Sequence, residues 1–331
     1  MPLPLLVPIA VGAAGLFGAG KAAKAAKDSS DAKDYNSRAE RIVADAESKV
    51  EALRKKSNDR LEMLGEKKLQ SLEKELESFV EIFSKINHVE IENKELLLNQ
   101  KIVKEKKTPN AIVDDCAFLV EGSKGLLSGA AGGALSAYGA YGGTMMLAAS
   151  GTGTSISALG GAAATNATLA WLGGGTLASG GLGMAGGTMV LGTLAAGPAL
   201  LVFGSVLGAK ATKSLNNAKS NLELARTFEA ETEMTCVKLE GIDELARVAL
   251  NTLSKVRGRL RRASNNMLDI QKEAGADYSS YTENQQNSVM MAVKYAQLLK
   301  VLIDTPILDE EGNIIEESKD KMELIKSDLA A

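Results

Sequence analysis

The chain has 331 residues, 45% hydrophobic and 24% charged, with 38 Lys/Arg against 41 Asp/Glu and a formal net charge of −3. Residues 21–124 carry 21 basic and 21 acidic side chains and residues 210–331 carry 17 and 20, so neither arm has the positive bias that nucleic acid requires, and 4% aromatics leave no base-stacking platform. One histidine, His88, and two distant cysteines, Cys116 and Cys236, leave no basis for a histidine metal site, a Cys-x-x-Cys cluster or a disulfide framework.

The first segment, residues 1–27, is apolar through Gly20, with Pro2, Pro4 and Pro8, and ends in a basic flank of Lys21, Lys24 and Lys27. A cleaved secretory signal has its basic residues before the apolar run, so cleavage is not expected; the segment is long enough to span or dip into a bilayer, though glycine and proline make it a poor helix. Gly15 to Lys21 matches the phosphate-loop spacing G-x-x-x-x-G-K, but Ala22 stands where the metal-binding hydroxyl belongs, and no strand ending in an acid follows.

Residues 28–122 read as a long charged coiled-coil helix, periodic from about Tyr35 to Lys107. Val50, Leu53, Ser57, Leu61, Leu64, Lys68 and Leu72 step with an eleven-residue period, and Leu72, Leu76, Phe79, Phe83 and Ile86 follow with heptad steps. Thr108-Pro109 is expected to end that helix. His88 falls in a charged stretch and reads as a surface histidine, and Cys116 and Cys236 read as small buried hydrophobes.

Residues 123–209 hold the most unusual feature. From Gly125 to Ala209 there are 85 residues without one Asp, Glu, Lys, Arg or His, and this block contains 23 of the 33 glycines. Gly181, Gly183 and Gly186 spell G-x-G-x-x-G, yet the first acid downstream is Glu223, 37 residues on, and no alternation of strand and helix surrounds the motif, so a dinucleotide loop is rejected. An apolar solvent accounts for charge exclusion on this scale, because a charge at the bilayer centre costs at least about 2.5 kcal/mol. Glycines four apart give a helix a groove for a close neighbour; Gly125, Gly129 and Gly133 form one row, and Gly139 with Gly143, Gly183 with Gly187 and Gly204 with Gly208 form pairs. Lys124, Lys210 and Lys213 flank the block and Trp171 sits beside a turn-like GGGT, positions suited to a membrane interface.

Residues 210–305 form a second helical arm, with one helix from Lys213 to about Glu273 and another from about Tyr278 to Ile303, stopped by Thr305-Pro306. Residues 306–331 read as a turn around Glu311-Gly312-Asn313 and a short last helix. The expected fold is all-α: an elongated helical bundle whose long coiled-coil arms surround a Gly/Ala-rich hydrophobic hairpin.

The stretches SKGLLSGAAGGALSAYGAYGG (Ser123 to Gly143) and WLGGGTLASGGLGMAGGTMVLGTLAAGPALLVFGSVLGAK (Trp171 to Lys210), set between charged helical arms, resemble α-helical membrane-inserting proteins of the apolipoprotein L-like and helical cytolysin-like kinds. The resemblance is one of architecture and implies conditional insertion, self-association and permeabilisation. Two readings of function follow. In one, the chain inserts its glycine-rich hairpin into a lipid bilayer and self-associates as a homo-oligomer, forming a pore or remodelling lipid; in the other, it is a membrane-anchored scaffold that recruits a protein partner through its arms. A soluble bundle that keeps the block permanently buried is the plain alternative. No catalytic constellation is present, no cofactor or metal is called for, and no nucleic acid is expected as a partner. The expected location is a membrane, or the cytoplasm with conditional insertion.

Overall fold

No proline interrupts the chain between Pro8 and Pro109, and the intervening residues are rich in Ala, Glu and Lys, all good helix formers. In the computed structural model they form helix α1, Gly15–Gln70, then a π-helical turn, Ser71–Leu76, then α2, Glu77–Phe83. After these come α3 (Pro109–Ser123), α4 (Gly133–Tyr141), α5 (Leu215–Ala274), a 3-10 turn (Tyr278–Ser280), α6 (Glu283–Asp304) and α7 (Glu316–Asp328). The structure describes residues 15–89, 102–103, 107–123, 133–142, 215–309 and 312–329. Those residues are 88% helical and contain no strand, so the protein is all-α.

The chain divides into two compact units. In the first (Met1–Glu51 with Ala196–Cys236), Ala39, Val43 and Ala46 of α1 bury against Leu222, Ala225 and Phe228 of α5. The Lys219 ammonium lies 5.9 Å from the Tyr35 ring centre, and the Asn221 side chain donates to that of Asn36 at 3.0 Å. Successive partners rise together in number, so the two helices run parallel.

In the second unit (Ala52–Ala195 with Val237–Ala331) the same direction holds. Ser57 Oγ donates to the Leu239 carbonyl at 2.9 Å, Arg60 to Asp243 at 3.0 Å and Arg257 to Glu75 at 2.9 and 3.1 Å. Leu61, Leu64, Leu72, Leu76 and Phe79 share one buried core with Leu253, Val256, Leu260, Leu298 and Leu299. Each such side chain contributes about 1.5–3 kcal/mol by leaving water. The π-turn sits where the spacing of the buried residues changes from eleven-residue to heptad steps, at Leu72. A π-turn inserts one extra residue into the helical repeat, which resets the face turned inward.

Three boundaries differ from the sequence expectation. The long helix does not reach Lys107: it ends at Phe83. Beyond it the Asn87 N–H donates to the Ala276 carbonyl at 2.8 Å, and the Asn87 carbonyl accepts from the Tyr278 N–H at 3.1 Å. These pairings with a distant segment replace helical ones, and His88 then takes a left-handed backbone, φ 56°. Thr108-Pro109 starts a helix rather than stopping one. Thr108 Oγ1 accepts the Ala111 N–H at 3.3 Å as an N-cap, and Pro109 occupies the first helical position, where its missing N–H costs nothing. The second arm's later helix also begins further on, at Glu283, behind a Thr282–Gln285 capping box.

Candidate functional site

The second unit contains a point where three helices meet on one lysine. Gly65 is the only glycine between Lys21 and Glu121. A glycine among strong helix formers costs about 1 kcal/mol, and here it permits an approach that a side chain would block. A Cβ on Gly65 would stand 1.9 Å from the Leu135 carbonyl oxygen of α4, and one on Gly139 would stand 2.0 Å from the Leu61 carbonyl oxygen of α1. The backbones of α1 and α4 therefore touch.

One helical turn beyond Gly65 lies Lys68, 1% exposed. Its Nζ donates to the Gly139 carbonyl at 3.3 Å and to the Thr305 carbonyl at 3.1 Å. Gly139 lies in the last turn of α4 and Thr305 caps α6, and the carbonyls at helix ends lack intrahelical partners and carry the negative end of the helix dipole. Two converging C-termini thus form an acceptor site for one ammonium. Burial nevertheless brings the Lys68 pKa down from 10.5 to about 7, with the negative charge of Asp304 opposing the fall.

The surroundings close the site. Ala140 accepts from the Ile307 N–H at 2.6 Å. Gly142, at φ +70°, presses on the α6 end, where a Cβ would come within 2.7 Å of the Ile303 carbonyl. Tyr138, which precedes Gly139 in α4, is buried and held neutral by its burial and by Asp304, which together raise its pKa. Cys116 of α3 is buried and free, and burial pushes its thiol up to about 12, with Lys300 pulling the other way.

A chain of alternating charge leads outward from this centre. Lys300 bonds Asp304 at 2.7 Å and stands 3.9 Å from Asp115, which bonds Lys107 at 2.6 Å. Burial disfavours the Lys300 charge, but Asp304 and Asp115 outweigh it and raise its pKa. Lys107, Asp115 and Lys300, with Val103, Ile112, Gln297 and Val301, line a cleft of about 320 Å³. Its two lysines and one aspartate are already paired, so it has no strong sign preference.

Of the glycines expected to pack helices, Gly133 opens α4 and Gly139 lies at the crossing with Gly65. Gly125, Gly129, Gly143, Gly183, Gly187, Gly204 and Gly208 lie outside the described residues, as do Lys124, Trp171, Lys210 and Lys213. Gly139 packs on the charged arm rather than on another glycine-rich helix. Its partner Gly65 was not singled out by sequence reasoning, although a lone glycine in a helical run is a signal for close approach. Lys68 falls on the inward stripe by its spacing, and nothing in the sequence around it marks its acceptors. His88 is exposed and sits 3.2 Å from Asp277, and both cysteines are buried with neither in a disulfide.

Among the described residues no helix is long and apolar enough to cross a membrane, and no cluster of His, Cys, Asp or Glu could hold a metal ion. No family model, curated protein or solved structure matches the chain.

Proposed function

We propose that this is a membrane-acting helical protein. Its charged arms shelter α4, a helix of the uncharged block, and on release the block inserts into a lipid bilayer and self-associates, forming a pore or remodelling lipid. The observation that carries this reading is the placement of α4. A helix from an 85-residue run with no ionisable side chain is packed through Gly139 against Gly65 and covered at its C-terminus by Lys68. A device that keeps a charge-free segment covered in water and gives it up to lipid needs such a contact, close in geometry yet small in extent.

A second reading, a membrane-anchored scaffold without channel activity, is favoured by Phe118, 64% exposed on α3, a large apolar group suited to a protein partner. Liposome flotation combined with dye release separates the readings. Flotation with release supports the pore, flotation without release supports the scaffold, and failure to float under any condition rejects both. Substituting Gly129 and Gly183 by Ile tests the glycine packing: unchanged self-association in lipid removes it from the proposal.

A further inference from the structure

Buried lysines are rare because transferring an ammonium out of water is costly. Lys68 sits where α4, from the uncharged block, meets α1 and α6 of the arms. It reaches the Gly139 carbonyl on α4 and the Thr305 carbonyl on α6, beside a backbone crossing that leaves no room for water. We propose that Lys68 is an acid-responsive latch: its enclosure holds α4 closed, and protonation of the released side chain opens the crossing and frees α4. This rests on the membrane reading for its purpose but not for its test.

Asp304 acts on Lys68 directly, and the other ionisable groups of the neighbouring elements are tied to Asp304 or to one another. From α6 come Asp304, which favours the ammonium, and Lys300, whose charge is taken up by Asp304 at 2.7 Å. From α4 comes Tyr138, neutral because burial and Asp304 raise its pKa. From α3 come the neutral Cys116 thiol and Asp115, which is bonded to Lys107. Among the described residues Asp304 is the anion acting on Lys68, and burial outweighs it. In the closed state Lys68 titrates at about 7, against an ordinary 10.5 once released into water. Opening therefore takes up a proton at any pH between these values. The open-to-closed ratio rises as pH falls through that window, and flattens below about 6 because the closed state is then protonated as well. From pH 9 to pH 6 the ratio increases about 90-fold by this linkage. Carboxylate-driven acid unfolding behaves differently, continuing to grow below pH 5.

The test is lipid-free hydrogen exchange of the Gly133–Tyr141 amides in the full chain, corrected for intrinsic exchange, from pH 9 to pH 5. The wild type is expected to open about 90-fold more at pH 6 than at pH 9 and to level off below. Lys68→Met is expected to lose that dependence. A flat wild-type profile, or the same profile in Lys68→Met, overturns the latch. If Lys68→Met does not fold, Asp304→Asn serves instead: loss of the carboxylate makes the enclosed ammonium harder to hold, so the rise must extend to lower pH before it levels. An Asp304→Asn profile that levels at the wild-type pH also overturns it. Flotation of the same wild-type protein on vesicles is scored separately. A pH-gated α4 without vesicle binding leaves the latch and removes the membrane reading, whereas vesicle binding with a flat profile does the opposite.

Discussion

Gly65 of α1 and Gly139 of α4 face each other so closely that a methyl group on either would penetrate the other helix's backbone, at 1.9 and 2.0 Å from carbonyl oxygens. Main-chain atoms cannot move aside as a side-chain end can, so the helices must separate. Gly65→Ala and Gly139→Ala are each expected to cost about 3 kcal/mol, overriding the helix propensity gained. Gly258→Ala is the control. Only the end of Arg262 lies near its added Cβ, at 3.9 Å, so it is expected to stabilise by up to about 1 kcal/mol. Urea unfolding of the three variants checks the order. The double Gly65→Ala/Gly139→Ala variant should cost less than the sum of the two, since one separation serves both.

Asp243 anchors the α1–α5 seam of the second unit, bonded by Lys56 at 2.9 Å and Arg60 at 3.0 Å. Its burial works against the carboxylate, but the hydrogen bonds and charges of Lys56 and Arg60 prevail and hold the carboxyl below its ordinary 3.8. Such a group contributes stability above its unfolded pKa and loses it as pH falls through the depressed native value. Asp243→Asn is therefore expected to lower stability by about 1–2 kcal/mol at pH 7, and to match the wild type once pH falls well below 3.8. Denaturation midpoints at neutral and acid pH measure the convergence.

Glu75, in the π-turn, holds Arg257 through two hydrogen bonds, with side-chain exposures of 9% and 16%. Removing one partner strands the other charge. Glu75→Ala is expected to cost about 2–3 kcal/mol, and the joint replacement Glu75→Met/Arg257→Met to cost less than either single change. A double-mutant cycle read by thermal unfolding decides the point.

Cys116 is 0% exposed and its thiol is pushed up to about 12 by burial, while Cys236 is 2% exposed. The thiolate is the reactive form. Both thiols are expected to resist a disulfide reagent at pH 8 in the native protein and to react promptly once it is unfolded in denaturant. Prompt native labelling at Cys116 places the α3 packing in error.

Much of the fold was legible because helical spacing reports burial directly. Of the seven residues on the eleven-residue steps, Val50, Ser57, Leu61, Leu64, Lys68 and Leu72 are buried and Leu53 is half-buried. What escaped was decided by partners far away in sequence. The stretch after Phe83 keeps helix-like spacing, yet Asn87 finds its hydrogen bonds at Ala276 and Tyr278. Thr-Pro carries the same letters whether a helix stops before it or starts on it. Lys68 could be placed on the inward face from spacing, but its acceptors belong to α4 and α6, and nothing local announces them.

The parallel course of α1 and α5 also governs the timing of assembly. The partners Ser57 and Leu239 are 182 residues apart, as are Glu75 and Arg257. At about 5–20 residues per second a ribosome needs on the order of 10–40 s to make the second after the first. During that interval the inward face of α1 in the second unit lacks its α5 cover, and the whole charge-free block emerges from the exit tunnel before the cover arrives. Newly made chains therefore pass through a stage in which α4 is complete and the α6 end that meets it is not, so the crossing stays half-built until the second arm follows.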